Sequence, residues 1–166
     1  MRKHTKRRVY GLIYDPMAYV KAGVSPMPEP VLDTLRIRVL GSIENFAYGE
    51  AGLPDYREIV DILNMTETMA RQGVRPEALH VCRLVEAELL AAADRFEQTH
   101  CMTVSTEGLT AIKELHDHHD AQRCDVSQGN YEQALQATTH RIRTHNGSVV
   151  DLMGKTAAHE LCDVTI

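Results

Sequence analysis

The sequence predicts an all-α fold: a single-domain bundle or irregular array of about five helices, with an irregular basic N-terminal arm and a loose C-terminal tail. Three observations carry this. Apolar residues recur at three- and four-residue spacing from Leu32 to Ile142, the period of one helix face. Gly, Pro and Ser/Thr fall between the periodic stretches, where helices stop and start. With no Trp, two Phe and six Tyr, the core must be aliphatic, which suits helix-on-helix packing better than a large β sandwich. A chain of 166 residues has room for one full core and hardly for two.

The chain divides into a basic arm and Pro-rich connector over 1–29, a helical domain over 30–146 and a tail over 147–166. In the first part, Asp15 and Pro16 suit the start of a short helix over Met17 to Lys21, ending at Gly23. Three prolines between Pro26 and Pro30 then favour an extended connector. The first long helix spans about Pro30 to Tyr48, with Leu32, Leu35, Val39, Ile43 and Phe46 on one face and Gly49 to Gly52 ending it. The second starts near Pro54 and runs to about Gln72, facing inward with Ile59, Ile62, Leu63, Thr66, Met69 and Ala70; Gly73 stops it. The third, from about Pro76 to Gln98, carries Leu79, Cys82, Val85, Leu89, Ala93 and Phe96. Thr99 to Val104 is a break with extended character. The fourth opens at Ser105 or Thr106 with Leu109, Ile112, Leu115 and His119 inward, and ends over Cys124 to Val126. Ser127 caps the fifth, whose inward face is Tyr131, Ala134, Leu135, Thr138 and Ile142.

The net charge of −5 hides an asymmetry. Arg2, Lys3, Lys6, Arg7 and Arg8 crowd five cations into the first eight residues. The remainder holds 13 basic against 23 acidic residues, a balance of −10. A basic arm on an acidic body is an interaction-type pattern. It makes the body a poor nucleic-acid surface while leaving the arm able to touch phosphate. Cys82, Cys101, Cys124 and Cys162 form no CxxC and follow no secretory signal, so they are expected to be reduced thiols in a cytoplasmic protein. No apolar stretch is long enough to span a membrane.

The densest run of chemical side chains is Glu114-Leu115-His116-Asp117-His118-His119-Asp120. His116, His119 and Asp120 share one helix face through offsets of three and four. Two imidazoles and a carboxylate are metal-type ligands, given further ligands from another helix. The plainer reading is a polar helix whose inner His119 makes a hydrogen bond within the core. Glu77-x-x-His80 and Glu97-x-x-His100 match a motif of di-iron bundles. They lie about 20 residues apart, on the order of 30 Å along one helix, and cannot share a metal centre within one chain. Cys82 on an apolar stripe reads as a small core residue. Gly154-Lys155-Thr156 lacks the upstream glycine of a phosphate loop. Arg141 and Arg143, with His140 and His145, either extend the basic patch or complement the dipole at a helix C-terminus.

Three stretches together resemble a family of short, uncharacterised helical proteins carried by proteobacterial phages and prophages. They are Lys3-x-x-Lys6-Arg7-Arg8, Leu63-Asn-Met-Thr-Glu-Thr-Met-Ala70, and Tyr131-Glu-Gln-Ala-Leu135 with Arg141-Ile-Arg143. The resemblance covers about residues 1–145 and carries no catalytic residues across. It implies a phage or mobile-element accessory protein. By analogy with such proteins, the chain is expected to be a non-enzymatic binder of a protein or ribonucleoprotein complex of the host, most sharply an anti-defence inhibitor of the anti-CRISPR type, with no cofactor. Two alternatives stand beside it. One is a nucleic-acid-binding accessory protein that uses Arg2, Lys3, Lys6, Arg7, Arg8, Arg141 and Arg143. The other is a metal-binding protein or metal-dependent enzyme built on His116, His119 and Asp120. An exposed apolar stripe, or the Val9–Tyr14 patch, could also pair two copies.

Overall fold

The structure, a computed structural model, describes residues 20, 21 and 23–145. Five long helices account for most of them: α1 (Glu29–Tyr48), α2 (Leu53–Arg71), α3 (Ala78–Thr99), α4 (Thr106–Asp125) and α5 (Gln128–His145). The expected all-α class is the observed one, and no strand occurs among the described residues. The basic arm 1–14 and the tail 147–166 lie outside the described residues.

The helix ends follow from local chemistry. Gly49 closes α1 in the left-handed region at φ 72°, a conformation open to glycine without penalty. The Asp55 carboxylate accepts from the Gly52 N–H at 2.9 Å and so completes the start of α2. Gly73 at φ 93° turns the chain after α2. The Ser105 hydroxyl accepts from the Gly108 N–H at 2.9 Å to cap α4, and Ser127 does the same for Asn130 at 3.2 Å to start α5. The connector is extended as expected, and Pro26 forms an isolated bridge with Ser127. The helical turn before it runs through Gly23 and closes at Ser25, whose N–H donates to Lys21 at 3.0 Å, so Gly23 does not end it.

α2 is the hub. It packs against each of the other four helices, and ten of its 19 residues are buried. The sequence shows one inward face; the structure buries Tyr56, Val60, Met65 and Thr68 as well. α1, α3 and α4 close the main core around Ile59, Val85, Leu89, Ile112 and Leu115, all fully buried. Burying each such aliphatic side chain stabilises the fold by about 1.5–3 kcal/mol. α5 adds a smaller cluster on the far side of α2, with Met65, Met69 and Ala134 buried between Val74 and Tyr131. Leu135, expected inside, is 50% exposed, because α5 packs on α2 alone among its large interfaces and leaves its flank open.

α3 is fastened to α4 through one carboxylate. Glu88 accepts from the Ser105 N–H at 2.8 Å, the Ser105 hydroxyl at 2.9 Å and Arg95 at 2.7 Å. Burial pushes its carboxyl up, but those donors win and hold it below the usual carboxylate range. The Glu88 side chain fills the space a Cβ would need at Gly108. Gly108→Ala is therefore expected to lose about 1–3 kcal/mol of stability through overpacking. By contrast, Gly41→Ala in mid-α1, where a Cβ meets nothing within 4 Å, should gain about 0.5–1 kcal/mol. Urea unfolding of the two variants checks both signs.

Candidate functional site

The inner face of α4 carries the polar residues that the sequence singles out. His116, His119, Asp120 and Arg123 recur at offsets of three and four, and the helix turns them toward α1 and α2. His119 Nδ1 lies 3.1 Å from the Thr66 hydroxyl of α2. Burial, followed by the nearby Arg123 charge, pushes the His119 pKa down to about 3. The ring is thus a neutral hydrogen-bonding group in the core. Burial lowers His116 as well, against the pull of Asp120, and its Nδ1 has no partner among the described residues.

Asp120 joins the helices electrostatically. It accepts from Arg36 Nε of α1 at 2.8 and 3.0 Å and from Arg123 Nη2 at 3.2 Å. Burial pushes its carboxyl up, but the Arg36 hydrogen bonds outweigh that and hold it below the usual range. Arg36 also reaches Glu29 and Asp33 at 2.8 and 3.0 Å. Next to this group, the Gln122 amide donates to the Thr66 and Val74 carbonyls at 3.2 and 2.8 Å, holding the end of α2 and its loop against α4.

The three residues grouped as metal ligands are therefore on one face, but two of them are otherwise committed, His119 to Thr66 and Asp120 to two arginines, and His116 keeps a nitrogen without a partner among the described residues. Among the described residues, no three His, Cys, Asp or Glu side chains converge as a metal ion needs. Glu77 and His100 stand just outside the two ends of α3, so the two Glu-x-x-His runs stay apart. Cys82 is buried, and burial pushes its thiol up to about 12, which leaves it protonated at neutral pH and poorly nucleophilic. Arg141 departs from the surface role expected of it. Its guanidinium is bound to Glu67 and donates to the Asn64 carbonyl and side-chain oxygen at 3.2 and 3.3 Å, so it clamps α5 to α2. Arg143 is exposed. Arg2, Lys3, Lys6, Arg7 and Arg8 lie outside the described residues.

No family model, curated protein or solved structure matches the chain. No described helix is long and apolar enough to cross a membrane.

Two surface features stand out beside the polar cluster. Along the outer side of α1, Ile37 is 71% exposed, Leu40 45% and Tyr48 77%, with exposed Asp33 and Glu44 in the same row. Between α1 and α5 a cleft opens over α2, with His119 and Arg123 of α4 among its lining residues. Arg123 belongs to the same helix face, at an offset of seven from His116 and four from His119, although an arginine reads as a surface residue.

The neutral buried histidines make stability depend on pH. In the unfolded chain an imidazole takes up a proton below its ordinary pKa of 6.5, whereas folded His119 does not until about 3. This contribution is complete above 6.5 and is lost progressively as pH falls toward 3. The urea midpoint should fall between pH 6.5 and about pH 5, above the range in which carboxylates titrate. His119→Leu should flatten that slope while lowering stability at neutral pH. An unchanged slope would deny the neutral, buried state of the ring.

Proposed function

We propose that the chain is a non-enzymatic accessory protein of phage or mobile-element origin that docks on a macromolecular complex of the host or phage. An anti-defence inhibitor of the anti-CRISPR type, acting in the cytoplasm, is the sharpest form of this reading. The observation that carries it is the outer face of α1. Three large apolar side chains stand in water there on a helix whose opposite face already fills the core. A helix apolar on both sides has a second surface to bury. That surface sits on an acidic body: residues 20–145 hold 19 acidic and 12 basic side chains. At least seven of those arginines are already tied to carboxylates. An apolar stripe with Asp33 and Glu44 beside it suits a partner surface that is itself basic, as nucleic-acid-handling machinery is. The phage-family resemblance of the sequence points the same way.

The experiment is capture of the tagged full chain with its bound complex from a proteobacterial host, beside an Ile37→Lys, Tyr48→Lys double variant. The expected result is one stoichiometric complex, weakened about tenfold or more by the double substitution, with the circular dichroism and urea midpoint of the variant unchanged. Capture that ignores these substitutions would remove α1 from the reading. Retention on DNA or RNA at about 50 mM salt, lost on deleting residues 1–8, would instead favour the basic arm as the working element.

A further inference from the structure

We propose that the cleft between α1 and α5 is a binding site for a small apolar carboxylic acid, with Arg123 as the partner of the carboxylate. The cleft is a separate feature from the outer face of α1, and the proposal does not depend on the docking reading. α1 and α5 both pack on α2, and the gap between them is a cavity of about 240 Å³. One water needs roughly 10–15 Å³ on such a measure, so the space accepts a body of several carbons. The apolar part of its wall is Leu35 and Val39 of α1, Ile62 and Met65 of α2, and Leu135 and Ile142 of α5. Leu135 is the half-exposed side chain that α5 leaves uncovered.

Arg123 makes this more than an apolar crevice. Its side chain is 1% exposed, and it lines the cavity. Its Nη2 donates to Asp120 at 3.2 Å, but its Nε–H has no acceptor among the described residues. A guanidinium carries five N–H donors in a fixed fork. Asp120 divides its charge between Arg123 and the closer Arg36, so Arg123 is under-neutralised where water is largely excluded. A carboxylate matches that fork better than any neutral acceptor. Two carboxylates line the cleft itself, Glu58 and Asp61. Glu58 is held by Arg38, while Asp61 is an exposed residue. An acid head avoids Asp61 by seating itself at Arg123, with its chain along Leu35, Val39 and Leu135. Apolar side chains with polar groups set among them, as here with Arg123, Tyr131 and Thr138 beside Leu35 and Met65, are the usual form of a small-molecule site.

The test uses octanoate, with octanol as the neutral arm, titrated into the full chain while the Arg123 Nε–Hε resonance is followed by NMR. The expected result is a saturable shift of that resonance, with octanoate binding about tenfold or more tighter than octanol. Arg123→Met should bring the two ligands to equal affinity. Leu135→Trp, at a half-exposed position the core does not need, should fill the cleft and weaken octanoate about tenfold. If Arg123→Met does not fold, the octanoate-to-octanol ratio and Leu135→Trp decide the matter. A third arm sets N-acetyl-leucyl-leucine against its amide: tighter binding than octanoate, lost in the amide, assigns the carboxylate to a peptide C-terminus, and weaker binding assigns it to a free acid. Equal binding of octanoate and octanol, indifference to Leu135→Trp, or no saturable shift up to the solubility of octanoate would overturn the proposal.

Discussion

The burial of α2 on almost all sides is the constraint from which the remaining architecture follows. A helix surrounded in this way must hide its polar residues along with its apolar ones, and each hidden polar group needs a partner. The neighbours supply them. Thr66 meets His119 of α4, and the hydroxyl of Thr68 accepts from Thr138 of α5 at 2.9 Å. Asn64 and Glu67 meet Arg141 of α5. Each contact specifies where a neighbouring helix sits along α2, which apolar packing alone does loosely. Aliphatic burial provides most of the driving force, and these polar pairs select one arrangement from the several that burial would allow.

α4 answers the same constraint from the opposite side. Its lower half is aliphatic, with Ile112 and Leu115 fully buried. Its upper half turns a polar face inward, and that face binds α1 through Asp120 and Arg36 and α2 through His119 and Gln122. The arrangement is costly in electrostatic terms, since it holds two histidines neutral and takes an arginine out of water. The cost falls at the junction of α1, α2, α4 and α5, where a cleft also opens. A region that carries under-satisfied polar groups beside an unfilled apolar space is where departures from ideal packing and ligand sites tend to coincide.

Much of the fold was legible in the sequence. Helix ends were marked by residues with a local mechanism: glycine after α1 and α2, serine before α4 and α5, proline at the first turns of α1 and α2. Inward stripes were legible wherever a helix buries one face, as in α1 and α3. The central position of α2 was not legible, because a hydrophobic period shows one face: Thr66 falls on that face, whereas Tyr56, Met65 and Thr68, buried on the other sides, lie off it. Arg123 was not legible for a related reason. Arginine reads as surface, and only the position of Asp120 and Arg36, 84 residues apart, shows why one is buried. Arg141 was legible as a cation near a helix end but not as the clamp it is, since its partners Asn64 and Glu67 are on another helix. Of the polar face of α4, the sequence revealed the shared side of His116, His119 and Asp120 and could not reveal which groups they meet; the plain reading of His119 as a hydrogen-bonding core residue describes its place.

Polar specification inside, an apolar row outside and a cleft with a buried cation together describe a helical scaffold whose surfaces offer more than its core requires. All of this depends on α2 being the element that every other helix is built upon. Native-state hydrogen exchange across the described helices measures that most directly. The amides in the middle of α2, from about Ile59 to Met69, are expected to exchange only through global unfolding and to be the slowest in the protein, with α5 opening earlier and independently. Slowest exchange in α1 or α5, with α2 opening by a lower-energy local route, would contradict the central place of α2.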